Sequence, residues 1–137
     1  MKKYLLLIIL ALVSLASFGQ SNEAPNDEKN VNITNTHLNL ILSDLIAKKA
    51  FTKNSVLILN NYNVLGSCNI KNRSYNFKVV DKSALNTTNS NTILFWRMDV
   101  NDTKAHYEFY LNKTKDSSIK YDYRLQFKNG NWEILNQ

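Results

Sequence analysis

The chain has 137 residues and a mass of 15.8 kDa, with 44% apolar and 20% charged residues, three glycines, one proline and one cysteine. This is the composition of one ordinary globular domain, and it excludes collagen-like, disulfide-scaffold and cysteine-rich zinc-ribbon classes. The formal net charge of +6 becomes +4 when Lys2 and Lys3 are set aside; the remaining basic residues are scattered, which suits solubility and not nucleic-acid binding.

Lys2 and Lys3 precede an unbroken apolar run from Leu5 to Val13, and the greasy stretch ends at Phe18, before Gly19 and Gln20. A positive start, an apolar run and a small-residue exit are the three parts of a secretory signal peptide. The stretch from Tyr4 to Phe18 holds two serines and is shorter than the about 20 apolar residues a spanning helix needs. Residues 1–19 are therefore expected to be a cleavable signal peptide, with a retained anchor as the alternative. No cysteine lies near the cut, so a lipid-modified N-terminus is not expected. The domain is then periplasmic or secreted, with no nucleic-acid partner and no membrane contact after cleavage. Cys68 is the only thiol, so no internal disulfide forms; it is expected as a small buried residue, or as a free thiol that pairs with another chain. Asn-x-Ser/Thr triplets begin at Asn32, Asn72, Asn86, Asn101 and Asn112, but among 21 asparagines in an Asn/Lys/Ile-biased, bacterial-looking sequence they read as chance matches and not glycan sites.

Residues 20–33 are polar and without periodicity, and read as a flexible leader. Thr34 or Thr36 reads as a helix N-cap, with His37 just inside the helix start. Leu38, Ile41, Leu42 and Leu45 then follow the spacing of one apolar helix face, which predicts an amphipathic helix over about residues 35–50. Asp44 and Lys48 stand one turn apart, and Lys48 and Lys49 suit the negative end of the helix dipole. From Phe51 onward, β-branched and aromatic residues cluster in short runs. Ser55–Asn60 reads as a strand, Val64–Ile70 as a weaker one broken by Gly66, and Tyr75–Val79 as a half-buried one. Residues 86–91 read as a loop. Thr92–Val100 is apolar on both faces in its first half, which predicts a central, covered strand. Asn101-Asp102 turns the chain into a strand over Lys104–Lys113, and residues 115–118 form a polar link. Ile119, Tyr121, Tyr123, Leu125 and Phe127 alternate strictly with polar residues. Asn129-Gly130 then gives the strongest short hairpin turn, because both positions accept positive φ. Trp132, Ile134 and Leu135 close the hairpin.

One helix before a run of strands predicts an α+β domain over residues 34–137, with the N-terminal amphipathic helix packed on a curved antiparallel sheet of about 4–6 strands. The element order, and the Gly130-x-Trp132-x-Ile134 pattern in the closing strand, resemble the nuclear-transport-factor-like and cystatin-like α+β folds of small exported bacterial domains. Larger, cone-shaped members of that group have two or three N-terminal helices, so one helix favours the smaller cystatin-like form. The resemblance implies a cavity between helix and sheet, used for catalysis in some members and for partner binding in others.

His106 and Glu108 share one strand face, as do Arg97 and Asp99 on the neighbouring strand. With Asp122 and Arg124 from the next strand they would form one polar patch. A histidine beside a carboxylate is the minimum for general base catalysis, but such residues also stitch the solvent face of a sheet. Phe95 and Trp96 are adjacent and point to opposite faces, so Trp96 and Tyr110 are expected on a second, partly exposed surface, where aromatics anchor partners. The candidate binding patch is thus Trp96, Arg97, Asp99, His106, Glu108, Tyr110 and Arg124. No phosphate loop, nucleophile elbow, paired catalytic glutamates or His-Glu-x-x-His motif occurs. No histidine, cysteine or acidic cluster has metal-ligand spacing along the chain. Neither a catalytic residue, a metal nor a cofactor is therefore expected.

The reading that best fits is a non-catalytic exported binding module whose partner is a protein or a small ligand, with a homodimer as one arrangement. A ligand-binding or pocket enzyme of the nuclear-transport-factor-like kind is the alternative, with a closed cavity and His106 or an acid at its floor. An inhibitor of an exported hydrolase is a third reading, with loop 83–91 projecting.

Overall fold

The computed structural model describes residues 27–61, 65, 68–81, 83, 90–114 and 117–135. The expected signal peptide, the first part of the leader and most of loop 83–91 lie outside these residues. Helix α1 (Asp27–Ala47) is followed by strands β1 (Ser55–Leu59), β2 (Asn76–Val80), β3 (Asn91–Val100), β4 (Lys104–Thr114), β5 (Ser117–Lys128) and β6 (Asn131–Ile134). The strands form one curled sheet in the order β2-β1-β3-β4-β5-β6, with α1 against its inner face. The class is α+β, as the element order implies.

The sheet is mixed and not purely antiparallel. β3, β4, β5 and β6 form an antiparallel meander, but β1 runs parallel to both β2 and β3. The connections explain the difference: a two-residue hairpin makes neighbours antiparallel, whereas residues 60–75 between β1 and β2 are long enough for a crossover. After Ser55 the β1 run Val-Leu-Ile-Leu is continuously apolar, as suits a strand with a parallel neighbour on each edge. The weak strand expected over Val64–Ile70 is absent from the described part of that segment. Cys68 N instead donates to Leu65 O at 2.9 Å, and Leu65 is fully buried in the core.

α1 starts well before Thr34, so residues 27–33 are helical and not a loose leader. Thr34 and His37 occupy buried positions on the same stripe as Leu38, Ile41 and Leu45. Two polar residues on a buried face hid the stripe's first turns from an apolar-periodicity reading. Thr36 is no cap: its hydroxyl donates back to Asn32 O within the helix. The other end is closed by Lys49, whose φ is 53°. Ala50 N donates to Leu45 O and Lys49 N to Ile46 O, the paired bonds of a Schellman cap built without glycine.

The inner face of the meander is aromatic. Phe95, Tyr107, Phe109 and Tyr123 are almost wholly buried against the α1 stripe. Phe109 stacks on Tyr121 and Tyr123 at centroid distances of 5.4 and 5.7 Å. Asn91, fully buried at the start of β3, accepts hydrogen bonds from Thr52 N and Lys53 N at 3.0 Å and so ties the β1 approach to the sheet. The Asn129-Gly130 turn has φ of 52° and 82°, the doubly positive geometry that this pair favours.

Candidate binding face on the sheet

One extra residue in β3 decides what the outer face carries. Phe95 pairs with Phe109, but the next pair is Arg97 with Glu108, so Trp96 is a β-bulge. Before the bulge the odd residues Ile93 and Phe95 face the core; after it the even residue Met98 packs there instead. Without that insertion Arg97 and Asp99 would continue the buried parity of Phe95. With it they join the outer face, and Trp96 stands 68% exposed. The sequence reading placed Trp96 and Tyr110 on this surface but did not foresee the bulge, which no residue pattern in β3 signals.

The ladder sets the outer face in rows. Asp99 lies opposite His106, and His106 opposite Arg124; Arg97 lies opposite Glu108, and Glu108 opposite Asp122; Leu94 lies opposite Tyr110, and Tyr110 opposite Lys120. All seven expected patch residues therefore belong to one three-strand surface, to which β5 adds Lys120 and Asp122. Arg97 Nε donates to Asp99 Oδ2, and this bond holds the exposed guanidinium above its ordinary pKa. His106 Nε2 donates to Asp122 Oδ1 at 3.0 Å and lies 3.7 Å from Glu108 Oε1. Lys120 Nζ sits 3.3 Å from Glu108 Oε2, and Arg124 Nε 3.7 Å from Asp122 Oδ1. The side chains of His106 and Glu108 are only 19% and 15% exposed, and that of Asp122 is 44% exposed. His106, Glu108 and Asp122 each offer a ligating atom within 4.8 Å of the other two. The sequence reading placed the three in one polar patch, but spacing along the chain gave no sign that strand pairing brings their donor atoms this close.

The other histidine lies on the opposite side of the sheet. His37 sits within α1, fully buried, and not at the helix start. Its Nδ1 is 2.7 Å from the Tyr107 hydroxyl, and its ring meets Trp132 edge to face at 4.1 Å. Nε2 has no hydrogen-bond partner among the described residues. Burial lowers its pKa from 6.5 to about 4, so the ring is neutral at neutral pH. At the helix end, burial pushes the Asp44 carboxyl up, but hydrogen bonds from Lys48 and Tyr123 outweigh it and leave the pKa below its ordinary value. Cys68 packs half-buried against the core, and burial pushes its thiol pKa up. The residue is thus less buried than expected, and the raised pKa does not suit a reactive thiolate.

An open groove of about 500 Å³ lies beside edge strand β2, lined in part by Lys71, Arg73, Tyr75 and Phe77. It shares no residue with the outer-face patch. No family model, no curated protein and no solved structure matches the chain.

Proposed function

We propose that the protein is an exported, non-catalytic binding module that contacts a partner protein through the outer face of β3, β4 and β5. The single observation that carries this reading is the bulge, which sets a largely exposed tryptophan next to Arg97 on the face that also carries Tyr110. Trp, Tyr and Arg are the residues that dominate interface energetics. A pocket enzyme would need His106 or an acid lining space between α1 and the sheet. His106 is on the opposite face, and aromatic side chains occupy the α1 side. Export is supported by the Lys2-Lys3 start and the apolar run Leu5–Val13. One helix on a meander ending in Gly130-x-Trp132-x-Ile134 supports the cystatin-like form, with the parallel pair β1 and β2 added at one edge.

The test is an affinity comparison on one captured partner. Exported proteins of the native host are passed over the immobilised domain, and the retained protein is purified and titrated. Trp96→Ala and Arg97→Glu each weaken binding at least about tenfold, the loss of one interface anchor. Lys71→Glu and Arg73→Glu, in the groove by β2, leave it unchanged. Equal affinity for all four variants would rule out the outer face as the contact surface.

A further inference from the structure

Glu108 and Asp122 stand directly opposite each other on paired strands. Like charges in that arrangement repel and cost stability, unless a cation or a proton is shared between them. The group set between them is an imidazole. From this geometry we infer that His106, Glu108 and Asp122 form a binding site for a divalent first-row transition metal ion, with Zn²⁺ as the working probe.

The distances fit a common centre. Nitrogen and oxygen ligands lie about 2.0–2.2 Å from Zn²⁺, which sets neighbouring donors about 2.8–3.6 Å apart in tetrahedral or octahedral angles. His106 Nε2 is 3.0 Å from Asp122 Oδ1 and 3.7 Å from Glu108 Oε1, and all three groups fall within 4.8 Å. Small side-chain rotations close the triangle, with water completing the shell. The imidazole proton moves from Nε2 to Nδ1 as the metal replaces it between the ring and Asp122. One nitrogen and two carboxylates form a borderline donor set. It suits Zn²⁺, Co²⁺ or Cu²⁺ and disfavours Mg²⁺ and Ca²⁺, which want oxygen ligands alone.

Two cations share the carboxylates, and they set the site's strength. Lys120 contacts Glu108 through Oε2, leaving Oε1 turned to His106. Arg124 approaches Asp122 at 3.7 Å from a largely exposed position. Both cations are themselves about half exposed or more, and ion pairs open to water on the cation side are readily exchanged, so a metal competes with them and is not excluded by them. The site does not depend on the partner-surface reading, since it would bind metal in the isolated protein.

The test uses the untagged protein titrated with Zn²⁺, Mg²⁺ and Ca²⁺ by calorimetry, with Co²⁺ absorption as a second readout. The expected result is one Zn²⁺ per chain, with Mg²⁺ and Ca²⁺ bound at least about 100-fold more weakly. His106→Ala and Asp122→Asn each weaken Zn²⁺ at least about tenfold and abolish the visible Co²⁺ bands. Lys120→Met tightens Zn²⁺ binding, an outcome that adventitious binding elsewhere does not produce. Asp122→Asn removes the opposed charge, so its thermal midpoint does not fall, and a lost affinity there is not a lost fold. Absence of Zn²⁺ binding overturns the inference. So does unchanged affinity in His106→Ala, or Ca²⁺ bound as tightly as Zn²⁺.

Discussion

Strand β4 presents two chemistries one residue apart. Ala105, Tyr107, Phe109 and Leu111 point towards α1 and are buried, while His106, Glu108 and Tyr110 form the middle column of the outer face. The inner residues act through removal of apolar area from water, which is large and non-directional. The outer residues act through charge pairs in a half-wet setting, each worth little to stability. One strand therefore separates what holds the domain together from what it shows to the outside, and damage to the two faces has different consequences.

Phe109→Ala is the sharpest test of that separation. It removes a ring in contact with Phe95, Tyr121 and Tyr123 and lowers unfolding free energy by about 3–5 kcal/mol in a urea titration. Acid comes next, through His37 on the inner side. Its folded pKa of about 4 lies below the ordinary 6.5, so the unfolded chain binds the proton more readily. The stabilisation is present above pH 6.5 and is lost as pH falls towards 4, by about 3 kcal/mol in all. Urea titrations at several pH values between 7.5 and 4 should show that slope, and His37→Leu should flatten it. Asp44, whose pKa is lowered, adds its own loss only below its ordinary 3.8. Gly130→Ala is smaller: a new Cβ meets nothing within 4 Å, so only the φ of 82° is penalised, by about 1 kcal/mol in thermal unfolding. Trp96→Ala on the outer face shifts stability by less than about 0.5 kcal/mol. A large loss there would mean that Trp96 is structural, and the division between faces would fail.

The meander was legible because each of its signals is local. Strict alternation from Ile119 to Phe127 fixes two faces, and Asn129-Gly130 fixes the turn between β5 and β6. The β4 column of the outer-face patch was legible for the same reason, since His106 and Glu108 share a face by parity alone, whereas Arg97 and Asp99 reach that face only through the bulge. What escaped depends on distant partners. The parallel pairing of β1 with β2 and β3 has no signature in residues 55–59 beyond an apolar run. The early start of α1 was masked because Thr34 and His37 sit where apolar residues were sought, and His37 is tolerated there through Tyr107 and Trp132. Lys120, which the sequence reading did not single out, entered the site only through the β4–β5 register.

The bulge at Trp96 behaves towards the sheet as a frameshift behaves towards a message. Upstream of it, β3 is read in one parity and supplies the core; downstream, it is read in the other and supplies Arg97 and Asp99 to the surface. A single inserted codon is enough to switch the frame, and a single deleted one to switch it back. The side chains beyond the insertion exchange faces as a set, while those before it keep their places in the core.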